Sequence, residues 1–414
     1  MILGARSNLL RSRASHEHKV TFVELFFDLV FVFAVTQLSH YLLDHFSLWG
    51  VLQTALLLMA VWWVWIFTSW VTNWLDPQTT PVRLALFALM LAGLVLSISL
   101  PDAFGARGLS FAAAYVLMQV GRTLFMLWAM RLQSAVNYRN FQRITCWLVL
   151  SALFWIGGAF AAGELRFALW AFALAIEYVA PSTGFWTPGL GRSTTGDWDV
   201  EGAHIAERCG LFIIIALGES ILVTGATFAK MDWTLVTAAA FLSAFVGSVA
   251  MWWIYFNIGA ERGSEHISVS DDPGRLARVA YTYTHLLPVA GIIVTAVSDE
   301  LVLAHPSGHT DFKTTATTVV GPALFLIGNM IFKRILVGSP ALSHSVGLGL
   351  LVLLAPAALI VPPLALGAAS SLILVVVAIW ETRSLGGYAP FRPAPTTAIA
   401  RKNMKARAKS RKRG

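Results

Sequence analysis

Glu24 and Asp28 stand four residues apart in VELFFDLVFVFAVTQLSH (residues 23–40), a run otherwise built mainly of Phe, Val and Leu. On a helix the two carboxylates share one face, about 6 Å apart. An ionisable side chain inside an apolar span costs roughly 3 kcal/mol and is a functional candidate by default. The chemistry on offer is proton handling: a carboxylate in a low-dielectric cavity loads or releases a proton when its pairing changes.

A short set of polar residues shares that apolar context. Asp28, Arg122 and Glu219 lie deepest, and the expectation is an ion pair or triad joining the first, fourth and seventh spans, in which two acids and one arginine supply proton or ion coupling. Arg122 could instead clamp an anionic substrate bidentately, and a purely structural ion cluster is the simpler alternative. Glu24, Glu207 and Arg208 fall within a turn of the cytoplasmic interface and read as access groups within reach of water, or as helix caps. Glu177 and Glu381 close the sixth and twelfth spans at that same interface. Gln37, His40, Gln119, His285 and Asn329 form a secondary polar lining. No P-loop, HExxH or GxSxG is present, so no catalytic residue is assigned and the reading leans away from an enzyme. HPSGHTD (305–311) reads as a solvated external loop rather than a metal site, and no cofactor is implied.

These residues need helices to carry them. Of 414 residues, 57% are hydrophobic and 13% charged, half the charged share of a soluble protein, so the chain reads as an all-α polytopic integral membrane protein. Apolar runs long enough for a bilayer recur at 22–43, 49–71, 83–100, 109–130, 143–162, 165–180, 205–228, 234–257, 276–298, 315–332, 343–361 and 363–380, about twelve transmembrane helices. With both termini cytoplasmic, the basic residues concentrate on one side of the membrane and only Arg107, Arg166, Lys230 and Lys313 fall on the other. The opening twenty residues lack a continuous apolar core and a cleavage site, so no removed signal peptide is expected. Cys146 and Cys209 offer neither a disulfide framework nor a zinc cluster. Trp62, Trp63, Trp65, Trp70 and Trp74, echoed by Trp252 and Trp253, read chiefly as an interfacial belt, with a cage for an organic cation as the lesser alternative. The net charge of +8 sits largely in RKNMKARAKSRKRG, a tail suited to anionic lipid headgroups rather than to nucleic acid.

The second half echoes the first. ELFFDLVFVFAVTQL pairs with ERCGLFIIIALGESIL, WIFTSWVTN with WIYFN, the Arg-Leu-Ala starts at Arg83 and Arg275 with each other, GRTLF with GNMIF, and AIEY with AIWET. Six spans separate the partners, which predicts two parallel six-helix repeats with a site at their interface. The expected organisation is a basic cytoplasmic tail over 1–20, a first repeat over 21–180, a cytoplasmic linker over 181–204, a second repeat over 205–382 and a basic disordered tail over 383–414.

VTFVELFFDLVFVFAVTQLSHYL together with AERCGLFIIIALGESIL resembles the signature of the bacterial low temperature requirement A (LtrA) family, and the similarity runs from about Val20 to the end of the twelfth span. The resemblance implies a multi-pass inner-membrane protein linked to growth in the cold. It carries over no catalytic or binding residues. Taken with the residues, the expectation is a secondary transporter, with proton coupling as its energy source, of a small solute or lipid-related molecule. A membrane enzyme acting on a lipid-linked substrate and a non-catalytic stress or sensor protein are the alternatives.

Overall fold

Backbone that crosses hydrocarbon must satisfy its own hydrogen bonds, so each long apolar run of this chain folds as a helix. The structure is a computed structural model describing residues 9–11, 20–131, 133–194, 197–198, 200–257, 261–268, 270–338 and 341–385. Among these residues the elements in chain order are α1 (Phe22–Asp44), α2 (Leu48–Trp74), α3 (Thr80–Asp102), α4 (Gly108–Met130), α5 (Ala135–Phe160), α6 (Gly163–Val179), α7 (Gly202–Phe228) and α8 (Leu235–Tyr255). The short α9 (Glu261–Ser268) follows, then α10 (Pro273–Ala304), α11 (Phe312–Leu336), α12 (Leu342–Leu359) and α13 (Pro363–Ser384). Eleven are long and apolar enough to cross a membrane. The remaining expected span, the sixth at 165–180, is α6, whose 17 residues extend only about 25 Å at 1.5 Å per residue, short of a hydrocarbon core of about 30 Å. The basic tail expected to meet lipid headgroups lies, from residue 386 onward, outside the described residues, as does the segment 1–20 apart from 9–11 and 20.

Caps set the starts. Thr21 and Glu24 close a capping box on α1, Ser47 caps α2, Ser134 caps α5, and Thr234 with Thr237 closes the box on α8. α5 therefore begins at Ala135, eight residues before the apolar run read from 143, because NYRNFQR continues the helix with polar residues. Asp311 caps α11 by accepting from the Thr314 N–H at 2.7 Å, and bonds from the Thr314 side chain and backbone hold its carboxyl below the ordinary 3.8. A carboxyl depressed in the folded state stabilises the fold above its unfolded value, and that contribution is lost as pH falls through the folded value. Asp311→Ala is expected to cost about 1 kcal/mol at neutral pH, with the gap to the parent closing below 3.8 in pH-dependent thermal melts. An equal gap at all pH values would show that the cap is not the cause.

α1 packs on α2, α3 and α7; α3 packs on α4, α4 on α5, α5 on α6, and α6 reaches α2. In the second half α7 packs on α8 and α10, α10 on α11, α11 on α12, α12 on α13, and α13 against α8. α10 and α11 meet backbone to backbone: a Cβ at Gly291 would strike Phe325 N, one at Gly328 would strike the Pro288 ring, and one at Gly321 would lie 2.7 Å from Thr295 N. Small residues at such crossings are how helices approach closely in lipid, where no hydrophobic force drives them together. α4 and α10 each carry a π-turn, Leu117–Gly121 and Ala277–Tyr283. Such turns frequently mark functional sites.

Candidate functional site

Three helices each contribute an i, i+4 pair to one buried ladder of polar groups: Glu24 and Asp28 on α1, Ser69 and Asn73 on α2, His204 and Arg208 on α7. The spacing stacks each pair on one helix face, so the groups form two rungs. All six residues are almost wholly shielded from solvent.

In the first rung, His204 Nε2 lies 2.8 Å from Glu24 Oε1. Glu24 Oε2 accepts from Arg11 Nη2, Thr21 N and Thr21 Oγ1, each at 2.9 Å. Asn73 fixes the imidazole. Its Oδ1 accepts from Glu201 N at 2.9 Å, so its Nδ2 is the atom that donates to Glu201 O at 2.9 Å and faces His204 Nδ1 at 3.3 Å. His204 Nδ1 is then the acceptor, and the network assigns the ring proton to Nε2, aimed at Glu24. Arg11 also donates to Thr72 O and Leu75 O, while Leu10 bridges to Leu75, so residues 9–11 lie across the end of α2 above this rung.

In the second rung, Asp28 Oδ1 accepts from Arg208 Nη2 and Trp65 Nε1, both at 2.8 Å. Arg208 reaches Ser69 Oγ through Nε at 3.3 Å and Nη2 at 3.2 Å, and its guanidinium lies over the Trp65 ring at 5.6 Å. Asp28 Oδ2 and Arg208 Nη1 are buried without a hydrogen-bond partner among the described residues. A half-satisfied buried ion pair is costly to maintain. The rungs, together with Thr36 and Ser39 meeting Glu219 further along, align α1 and α7 in the same direction.

The structure separates the three residues expected to form a triad. Asp28 pairs with Arg208, not Arg122. Arg122 donates to Gln119 Oε1, Val64 O at 3.1 Å and Thr68 Oγ1 at 2.9 Å, on the far side of α2. Glu219 accepts from the hydroxyls of Thr36 and Ser39. The deeper carboxylate found a cation on its own neighbour α7, one turn from the span boundary, because α1 and α7 lie side by side. The access groups change as well. Glu24 and Arg208 are 0% exposed, not water-reachable. Glu207, which the sequence pairs with Glu24, is exposed and accepts from Val20 N at 3.1 Å; the α7 residue that meets Glu24 is His204.

Glu177, read as an interfacial acid, is buried in a nest of four donors. Ser151 Oγ and Trp155 Nε1 (3.0 Å) donate to Oε1, and Tyr115 OH (2.7 Å) and Gln119 Nε2 (2.8 Å) donate to Oε2. Gln119 therefore bridges Glu177 to Arg122. Glu381 bonds Lys333 at 2.5 Å, and Lys333 also reaches Ile254 O and His344. Of the secondary lining, His285 bonds Tyr255 OH at 2.8 Å and Ala280 O at 2.9 Å, and Asn329 bonds Phe325 O on its own helix. Gln37 is half-buried and His40 exposed.

Trp62, Trp63, Trp65, Trp70 and Trp74 of α2 are not a lipid belt. Trp62, Trp63 and Trp65 are fully buried, Trp62 donates to Thr282 O at 2.7 Å, and Trp70 donates to Thr282 Oγ1 at 2.9 Å. Trp252 and Trp253 do face outward. Next to the ladder, on another face of α2, is a cavity of about 80 Å³ walled by α2, α4, α5, the 181–198 segment and α10. Sequence reasoning missed His204, Ser69, Asn73 and Arg11. The usable signal was the shared four-residue spacing in ELFFD, SWVTN and HIAER.

The sequence profile of the bacterial low temperature requirement A protein (LtrA) matches residues 19–379. The chain is similar to Uncharacterized protein RA0937 of Rhizobium meliloti (strain 1021), with 43% identity over 373 residues, covering 90% of this chain and 91% of the relative. No solved structure matches the chain.

Proposed function

The chain belongs to the bacterial low temperature requirement A (LtrA) family, and within that family we propose that it is a proton-coupled secondary transporter of a small solute. In this reading it sits in the inner membrane with both termini cytoplasmic, and the ladder lies at the cytoplasmic end of the bundle. The observation that carries the reading is the Asp28–Arg208 pair, buried across the parallel contact of α1 and α7 with one atom on each side unpartnered among the described residues. Protonating Asp28 at its free oxygen weakens its hold on Arg208, so a proton and the separation of the two helices become linked quantities.

Two parallel six-helix repeats complete the proposal. The helix neighbours support it: α1–α2, α1–α3, α3–α4, α4–α5, α5–α6 and α2–α6 in one half recur as α7–α8, α7–α10, α10–α11, α11–α12, α12–α13 and α8–α13 in the other. Each half also buries a carboxylate on its last helix, Glu177 and Glu381, against side chains of its fourth long helix, Gln119 and Lys333. Coupling in this scheme runs through Asp28 and Arg208, with Glu219 as a second acid on the same α1–α7 contact and Arg122 holding α4 to α2. The enzyme alternative, with Glu24 as a metal ligand or general base, is disfavoured because both its oxygens are occupied by protein donors.

The test is reconstitution into liposomes loaded with a pH-sensitive dye, with solutes screened for coupled proton flux. Asp28→Asn is expected to abolish the proton signal while folded protein is still recovered. Undiminished proton flux in that variant would remove Asp28 from the mechanism, and the absence of any solute-driven flux in the parent would remove the transporter reading.

A further inference from the structure

The cavity beside the ladder has a specific chemical character. Its wall is aromatic, with Phe67, Trp70 and Trp74 from α2, Phe141 from α5, and Phe185 and Trp198 from the segment before α7. Among the described residues that line it, Arg278 on the π-turn of α10 is the one charged side chain, and no acid is present. Arg278 Nη1 donates to Pro181 O at 2.9 Å, which fixes the guanidinium at the wall.

Several observations mark this as a built site. Phe185 has φ 51°, a left-handed backbone that is uncommon for a bulky residue and is tolerated only where the surroundings enforce it. Its N–H donates to Ala180 O at 2.8 Å, while Ser193 N donates to Gly184 O at 2.8 Å, so the turn that delivers the ring is bonded on both sides. The walls come from both halves of the chain. The free space is about 80 Å³, several times the roughly 10–15 Å³ that admits one water but about half of the roughly 150 Å³ that holds a benzene ring. It therefore suits a molecule of only a few heavy atoms, not a ring compound or a lipid.

We propose that this cavity is the substrate site and that it takes a short-chain carboxylate, its acyl body against Trp70, Trp74 and Phe141 and its carboxylate toward Arg278. An organic cation, which a tryptophan-rich wall alone would invite, meets an arginine there and no counter-charge. The inference rests on the transporter reading and deepens it, because Trp70 of the wall precedes Trp74 by one turn, and Ser69 and Asn73 of the ladder alternate with them along α2. A molecule that displaces the Trp70 ring from Thr282 moves the helix that also contacts Arg208 and His204.

Equilibrium dialysis of the full-length protein in detergent, with radiolabelled propionate, 1-propanol and propylamine, tests the assignment. Propionate is expected to bind at least tenfold tighter than 1-propanol, with propylamine weakest. Arg278→Gln is expected to erase the preference of propionate over the alcohol. Phe185→Gly keeps the positive-φ turn without strain and is expected to weaken propionate and 1-propanol alike, so a variant with secure folding carries the same question. Equal binding of all three probes, an unchanged preference in a folded Arg278→Gln protein, or no binding above micelle partition overturns the proposal. If liposomes show proton flux driven only by cationic or neutral solutes, the carboxylate assignment fails and transport stands. If propionate binds through Arg278 but no solute moves protons, the site stands and the transporter reading fails.

Discussion

Arg208→Leu is expected to destabilise the protein by about 3–5 kcal/mol, seen as a large fall in Tm in detergent and poor recovery from membranes. The reason is local. Asp28 is 1% exposed and, among the described residues, would keep Trp65 Nε1 as its one remaining donor, leaving a buried carboxylate without the cation that paired it. The double variant Asp28→Leu/Arg208→Leu removes both charges and is expected to recover most of the loss, since apolar replacement of a buried pair is often neutral or better. That double variant has no proton to exchange at this rung, so it is expected to be stable and inactive. If the single variant melts like the parent, the pair does not hold α1 to α7.

Glu177→Gln is expected to cost about 2–4 kcal/mol by the same assay, although it changes almost no volume. Both oxygens of Glu177 accept from a nitrogen that can only donate: Trp155 Nε1 on one, Gln119 Nε2 on the other. Whichever way the new amide turns, its NH2 faces one of those N–H groups. Gln119 cannot turn to relieve this, because its oxygen is held by Arg122. Gln119→Glu in the Glu177→Gln background restores an acceptor opposite the new amide and keeps one for Arg122, and partial recovery of Tm is expected. A Tm for Glu177→Gln within a degree of the parent would mean that the nest is not tightly satisfied in solution.

Much of the architecture was legible because span length and apolar content are set by the bilayer. Eleven of the expected spans are long helices, and the shortfall at α6 arises because Gly163 and Val179 leave it under the hydrocarbon thickness. The positions of the buried charges were legible too, since an acid or arginine in a run of Phe and Val announces itself. Their partners were not. Pairing depends on which helices are neighbours, and one sequence does not say that α7, rather than α4, lies against α1. Depth along the chain was also misleading: Glu24 and Arg208 sit near helix starts yet are sealed, because Leu9–Arg11 and the Glu201–Asn73 contact cover that end. The tryptophans of α2 read as belt residues by composition, but the indole N–H groups of Trp62, Trp65 and Trp70 find partners inside the bundle on Asp28 and Thr282.

The glycine contacts between α10 and α11 have a mechanical consequence. With Gly291, Gly321 and Gly328 each pressed against the opposing helix, there is no layer of side chains to act as a lubricant, so the hairpin resists sliding and flexing. α10 and α11 then behave as one stiff lever. A push on Thr282 at the π-turn is delivered to the far helix and to Lys333, and from there through Glu381 to α13. Glu381, which shares no hydrogen bond with the ladder among the described residues, would thus feel a displacement of one indole ring.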